Sequence, residues 1–170
     1  MAFYDILNEF KNNTALIDDR DQRRYTYGQI YALGDQILNG IKARCVLMLL
    51  CDNTIESISA YLAALQKGVI PLMVNSSMPE DLLFAIYEKY KPAYIFMNRE
   101  IQKNFTACHC IREISGYMRF EADSVEDYPV NDDLALLLTT SGSTGSPKLV
   151  RQSYKNIQSN ANSIAKYLEI

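Results

Sequence analysis

Nine consecutive residues, Thr140-Ser141-Gly142-Ser143-Thr144-Gly145-Ser146-Pro147-Lys148, carry the chemistry that this chain can do. Gly142 and Gly145 lack a Cβ and reach positive φ, so successive backbone N–H groups can turn inward around an anion. Ser141, Ser143 and Thr144 add hydroxyl donors, and Lys148 adds a compact positive charge on a flexible stem. The apolar run Leu136-Leu137-Leu138 comes directly before, so a buried strand delivers the loop. A Walker A loop ends in Gly-Lys-Ser/Thr, whereas this segment ends Ser-Pro-Lys-Leu, which excludes a P-loop NTPase. The alternative is an ordinary Ser/Gly surface turn. A strand before the loop and a lysine at its end argue for phosphate binding instead.

Other candidates for chemistry carry less. Cys108-His109-Cys110 sits on three adjacent positions, which cannot fold around one tetrahedral ion, and no second Cys or His pair completes the set. No metal site is expected. His109 is the single histidine and no nucleophile elbow lies near it, so catalysis of the Ser-His-Asp or Cys-His kind is not expected and no catalytic residue is assigned.

The elements that position the loop read out of hydrophobic period. Thr26-Tyr27-Gly28-Gln29 has the form of a capping box, and Ile30, Leu33, Ile37 and Ile41 recur behind it at helical spacing. Val46 to Leu50 is a continuous apolar strand. Asn53-Thr54-Ile55-Glu56 starts a second helix striped by Ile55, Ile58, Leu62 and Leu65, with Gly68 as its stop. Val69 to Val74 is the next strand. Pro79, Glu80 and Asp81 open a third helix with Leu82, Leu83, Ile86 and Tyr90 on one face, and Pro92 ends it. Ala93 to Met97 is a further strand, and Leu134 to Thr140 is the strand that carries the loop. Glu121 to Asp133, with six acidic residues and Pro129, reads as a solvated connection. Ser153 caps a final helix with Ile157, Ala161, Ile164 and Leu168 on one side. Strands alternating with helices predict a doubly wound α/β fold, its sheet mainly parallel and covered by helices on both faces. The loop then lies at the carboxyl end of its strand, where such sheets place ligands.

Composition bounds the rest. A chain of 170 residues that is 48% apolar supports one compact domain spanning 1–170. Seventeen basic against twenty acidic residues, with no basic stripe, argue against nucleic acid as a partner. No apolar window approaches a membrane span and Met-Ala-Phe-Tyr-Asp is no signal peptide, so the expectation is a cytoplasmic protein. Cys45 and Cys51 flank an apolar run and read as small buried hydrophobes, with no disulfide framework implied.

The run Thr140 to Lys148 resembles the phosphate loop of AMP-forming adenylating enzymes, the superfamily of acyl-CoA synthetases, peptide-synthetase adenylation domains and luciferases, at every motif position. Tyr25-Thr26-Tyr27-Gly28-Gln29-Ile30, Ala64 to Leu72 and Asp132-Asp133-Leu134-Ala135 are similar to three further segments of that family, so nearly the whole chain is covered. The departures are Leu149, where the family usually has glycine after the lysine, and Ser153-Tyr154, where it has Thr-His.

The resemblance implies an ATP-dependent carboxylate ligase. Its two steps would be adenylation of a carboxylic acid by Mg-ATP, with release of pyrophosphate, and transfer of the acyl group to a thiol. That thiol would be coenzyme A or the phosphopantetheine of an acyl carrier protein. Thr140, Ser141, Gly142, Ser143, Thr144, Gly145 and Lys148 would contact the triphosphate and its Mg2+-bound form, without a covalent bond. Tyr31-Ala32-Leu33-Gly34-Asp35 resembles the family's ribose-binding motif, but it precedes the loop instead of following it, and Leu33 belongs to a helical stripe. Asp35 is therefore given no ribose role. The family's remaining adenine, hinge and late-lysine motifs are not found, so the chain is expected to be the first part of the large N-terminal domain and inactive by itself. Its exposed face would then favour self-association. The competing reading is a free-standing, non-catalytic nucleotide-binding module with a regulatory or assembly role.

Overall fold

A computed structural model describes residues 4, 9–101, 103, 105–125, 129–139 and 148–169. The chain order is β1 (Thr14–Ile17), β2 (Arg24–Thr26), α1 (Tyr27–Ile37), β3 (Val46–Cys51), α2 (Ile55–Lys67), β4 (Ile70–Asn75), α3 (Glu80–Tyr90), β5 (Tyr94–Asn98), β6 (Cys108–Ile114), β7 (Tyr117–Ala122), β8 (Leu134–Thr139), β9 (Leu149–Ser153) and α4 (Tyr154–Leu168). β1 and β2 pair as a separate ribbon, and the other seven strands form one sheet in the order β6-β7-β5-β3-β4-β8-β9.

The four central strands, β5-β3-β4-β8, are parallel, as the unbroken apolar runs require. Alternation along β3 divides the core. Val46, Met48 and Leu50 face α3, where Leu83, Ile86 and Tyr87 cover them. Leu47 and Leu49 face the other way, against Ile37 and Leu38 at the end of α1 and Ala60, Ala63 and Ala64 of α2. Helices on both faces of an α/β sheet thus match the sequence-based expectation.

Local signals act where they stand. The Thr26 hydroxyl accepts from Gln29 N at 3.2 Å while the Gln29 carboxamide accepts from Thr26 N at 2.8 Å, closing the capping box of α1. Thr54 caps α2, and Gly68 ends it at φ 65°, the left-handed conformation that glycine adopts without strain. Ser153 caps α4 by accepting from Asn156 N at 3.1 Å.

Three features depart from the sequence-based expectation. β1 and β2 form a ribbon before α1, and β9 runs antiparallel to β8 along Leu149–Ser153, a segment with no apolar run to mark it. The β6–β7 hairpin occupies residues read only as a non-metal Cys-His-Cys and the start of an acidic connection, so Glu121 belongs to a strand. Its Ser115-Gly116 turn has φ 50° and 78°, the double positive φ of a tight two-residue hairpin.

The hairpin also completes α1. That helix has no basic residue in its last turn, and its terminal carbonyls are reached from outside. Arg119 donates from Nη1 to Ile37 O and to Asn39 O, the latter at 2.9 Å, and Arg112 donates to Gln36 O at 3.0 Å. Arg119 is buried, and that burial lowers its pKa from the ordinary arginine value. Replacing Arg119 by leucine strands two carbonyls in the interior. The expected cost is about 2–4 kcal/mol, read as a lower urea midpoint, with Arg119→Lys recovering only part of it. An unchanged midpoint in Arg119→Leu would remove this cap from the account of stability.

Candidate functional site

β8 lies inside the sheet, paired on one side with β4 and on the other with β9. Thr139 pairs with Leu149, so the two ends of segment 140–148 are held side by side at the carboxyl edge of the parallel strands. The Thr139 hydroxyl donates to Met73 O at 3.3 Å, fastening the end of β8 to β4. Lys148 is exposed directly before β9. Of the residues assigned to phosphate from sequence, Thr140, Ser141, Gly142, Ser143, Thr144 and Gly145 lie outside the described residues, as does Pro147.

The chain turns away from β4 toward β5 on one side and from β8 toward β9 on the other, so connections diverge at the β4/β8 boundary. Diverging connections leave a crevice at the carboxyl ends, the usual ligand position in an open α/β sheet. The strand order therefore puts Thr139 and Leu149, which flank segment 140–148, at the edge where such a crevice forms.

A polar network that sequence reasoning missed lines the same edge. Asp52, directly after β3, accepts from the Ser76 hydroxyl through Oδ1, and the Tyr117 hydroxyl stands 3.5 Å from Oδ2. Tyr117 OH and Thr54 Oγ1 are 2.7 Å apart, which ties the β6–β7 hairpin to the cap of α2. Asn75 Oδ1 accepts from Ser77 N at 2.9 Å and from Ser77 Oγ at 2.7 Å, fixing the turn after β4. The available signal was Asp52 directly after β3 and Asn75-Ser76-Ser77 at the end of β4. Asp19, Arg20, Asp52, Thr54, Asn98 and Glu100 line an adjoining cleft of about 540 Å³. Arg20 is already committed to Asp18, whose carboxyl it holds down at about 2. This cleft presents carboxylates, and Lys148 stands exposed on the β9 side of the same edge.

The ribose-like decoy is structural. Gly34 lies where α1 crosses α2, and Asp35 Oδ1 meets Lys67 Nζ at 2.6 Å on the surface. His109 Nδ1 is 2.9 Å from Asp123 Oδ1 on the edge hairpin, far along the sheet order from β8. Among the described residues the cysteines are free thiols. Burial pushes Cys45 and Cys51 up to about 11 from the ordinary 9.0. A raised thiol pKa favours the folded state while the thiol stays protonated, so that stability is present below pH 9 and lost between about 9 and 11. Iodoacetamide at pH 8 is expected to label exposed Cys110 and spare Cys45 and Cys51, as read by peptide mass mapping. Equal labelling of Cys51 in the folded protein would contradict its burial.

The described residues fit a triphosphate at one point, Lys148, and the loop composition supplies backbone and hydroxyl donors of the kind that anion needs. Comparison with known proteins gives the family. The chain resembles tyrocidine synthase 3 of Brevibacillus parabrevis, 25% identical over 130 residues that are 72% of this chain and 2% of that protein. It resembles 2-succinylbenzoate–CoA ligase of Bacillus velezensis, 23% identical over 154 residues, 85% of this chain and 32% of the ligase. Among solved structures, the N-terminal subdomain of Klebsiella oxytoca NpsA superposes with a TM-score of 0.65 and 27% identity over 91% of this chain and 42% of that one. The chain thus spans less than half the length of each of these proteins. The model of the family described as AMP-binding enzyme matches residues 3–169, so the chain belongs to the AMP-binding enzymes, whose members include adenylating ligases and synthetases.

Proposed function

We propose that this chain is the first part of the large domain of an ATP-dependent carboxylate ligase. In that reaction the carboxylate of an organic acid attacks the α-phosphorus of Mg-ATP, forming an acyl adenylate and releasing pyrophosphate. A thiol, either coenzyme A or a carrier-protein phosphopantetheine, then displaces AMP. The observation that carries the reading is the β8–β9 hairpin. It holds both ends of the glycine- and hydroxyl-rich segment at the β4/β8 crevice, with Lys148 at its exit.

In this reading the chain's own residues do not bond to the substrate. Backbone N–H groups of 140–145, the Ser and Thr hydroxyls and Lys148 hold the β- and γ-phosphates, so that pyrophosphate leaves opposite the attacking carboxylate. Lys148 offsets charge that grows on the leaving group. Mg2+ travels with ATP as part of the substrate. Two resemblances support the two thiol acceptors: the artificially fused adenylation–PCP di-domain of Klebsiella oxytoca for a carrier protein and the succinylbenzoate–CoA ligase for coenzyme A. Among the described residues no helix is long and apolar enough to cross a membrane, which is consistent with a cytoplasmic setting.

The α4 stripe supports self-association. Ile164 and Leu168 are 57% and 55% exposed, although both continue the apolar face that Ile157 begins.

The test is acid-dependent exchange of labelled pyrophosphate into ATP, over a panel of carboxylic acids. The 170-residue chain is expected to bind magnesium pyrophosphate yet show no exchange, and a polypeptide carrying the rest of the relatives' domain to exchange with one acid class. Exchange by the 170 residues alone would overturn the assignment to a partial domain. Failure of both polypeptides to bind pyrophosphate would overturn the ligase reading.

A further inference from the structure

Among the described residues of α4 none is buried. From Asn162 to Leu168 every residue except Ala165 is exposed, and Tyr167 is 86% exposed. Helices in folded proteins are stabilised mainly by packing of an apolar face, so the hold on α4 comes from its first two turns.

That hold is a small apolar cluster of its own, apart from the two that cover the faces of the sheet. Its buried members are Tyr4, Leu65 of α2 and Ala135 of β8, and Tyr154 and Ile157 of α4 pack against them. The Tyr154 hydroxyl donates to Leu65 O at 3.4 Å, and Tyr154 N donates to Asp133 O at 3.2 Å. Leu65 and Ala135 are fixed by the elements that carry them. Tyr4 belongs to none of the described helices or strands. It is nonetheless buried, with its ring 6.0 Å from the Tyr154 ring at a tilt of 51° and its carbonyl accepting from Gln66 Nε2. One residue thus joins α2, through Gln66, to α4, through Tyr154. An aromatic pair at this spacing contributes beyond the area it buries.

We propose that Tyr4 is a strap that keeps α4 docked on α2, and that its release frees α4 as a unit while the sheet stays folded. The cluster can open by itself because its buried members are not those of the two main clusters, and regions with few buried contacts open locally at low cost. The β8–β9 ladder needs no residue of α4, so it stays paired in the released state. Release adds Ile157 to the exposed stripe of Ile164 and Leu168, and it uncovers Leu65 and Ala135 on the body of the protein. The strap therefore sets how much apolar surface the chain offers to a second copy.

The test is hydrogen exchange read by mass spectrometry on the 170-residue chain, in wild type and three variants. Tyr4→Ala should speed exchange of residues 155–168 at least about tenfold while β3 and β4 exchange as before, the signature of a local opening. Tyr4→Phe keeps the ring and should stay nearer wild type than the alanine variant. Gln66→Ala loosens only the Tyr4 carbonyl and should give the same pattern at smaller amplitude. Trypsin should also cut after Lys155, in the first turn of α4, faster in Tyr4→Ala than in wild type. Equal exchange of residues 155–168 in Tyr4→Ala and wild type would overturn the proposal. So would acceleration of β3 and β4 by the same factor, which would make Tyr4 a support of the whole fold. None of these readouts uses pyrophosphate, so their outcome is independent of the ligase reading.

Discussion

Lys148→Ala is expected to weaken the binding of magnesium pyrophosphate by at least about tenfold, with no change in melting temperature. The side chain is exposed and sits between the loop and β9, so removing it takes away charge without opening a cavity. Its contact with a polyphosphate would be charge-assisted, and such contacts are roughly twice as strong as neutral ones. Isothermal titration of wild type and variant, at low and at high salt, checks both parts. Wild-type affinity should fall with salt more steeply than that of the variant, because one cation fewer remains to be screened. Lys148→Arg should keep part of the affinity, since the charge stays while the compact ammonium is exchanged for a planar fork. If Lys148→Ala bound pyrophosphate as tightly as wild type, the loop would have no claim as the phosphate site.

Gly34→Val is expected to destabilise the fold by about 3 kcal/mol or more, a drop of roughly 6–12 °C in melting temperature for a chain of this size. A Cβ at Gly34 would stand 2.6 Å from Ser59 O and 2.7 Å from the Ala63 methyl. Neither distance is tolerable, and the first obstacle is backbone, which cannot rotate away. Separating α1 from α2 would uncover Ile37, Leu38, Ala60 and Ala63, which close one face of the sheet. Valine adds a second branch that restricts χ1 in a helix, so alanine at the same place should be milder, with its gain in helix propensity of about 1 kcal/mol offsetting part of the clash. Ala63→Gly in the Gly34→Ala background removes the second contact and should recover part of the loss. Full stability of Gly34→Val would mean that the two helices do not cross this closely.

That glycine shows how a sequence motif can be read for chemistry and answer to packing. Tyr31-Ala32-Leu33-Gly34-Asp35 has the order of a ribose-binding segment, yet the helical period places Leu33 in an apolar stripe, and the structure puts Gly34 at a helix crossing and Asp35 on Lys67. The period was sufficient to decide between the two readings because it tests three or four turns together. Cys108-His109-Cys110 lacked such a test. Polar alternation on an edge strand looks like a loop until its partner strand is known, and the Ser115-Gly116 turn was the local mark of that partner.

The loop itself is a local object: residue types, order and spacing from Thr140 to Lys148 define its chemistry without reference to the rest of the chain. The same holds for the capping box at Thr26 and Gln29, the cap at Thr54 and the left-handed stop at Gly68, each of which spans four or five residues. Hydrophobic runs likewise marked the parallel strands β3, β4, β5 and β8, because a strand covered on both faces must be apolar throughout.

Which strands become neighbours is a different kind of question. β8 could close the sheet beside β5 or beside β4 at similar loop-closure cost, since that cost grows only with the logarithm of loop length. Packing against both faces selects β4, and that choice opens the crevice at which Thr139 and Leu149, flanking segment 140–148, are held. Arg119 reaches the end of α1 from about eighty residues away, and Tyr117 reaches Thr54, for the same reason: the β6–β7 hairpin pairs with β5 and brings both side chains over the edge of the core. The residue types that would meet a phosphate are thus legible in the sequence, because their order and spacing are short-range. The place of the two strand ends that flank segment 140–148, beside β4, arises only when distant strands pair, because pairing is decided by burial summed over the whole sheet and by no residue alone.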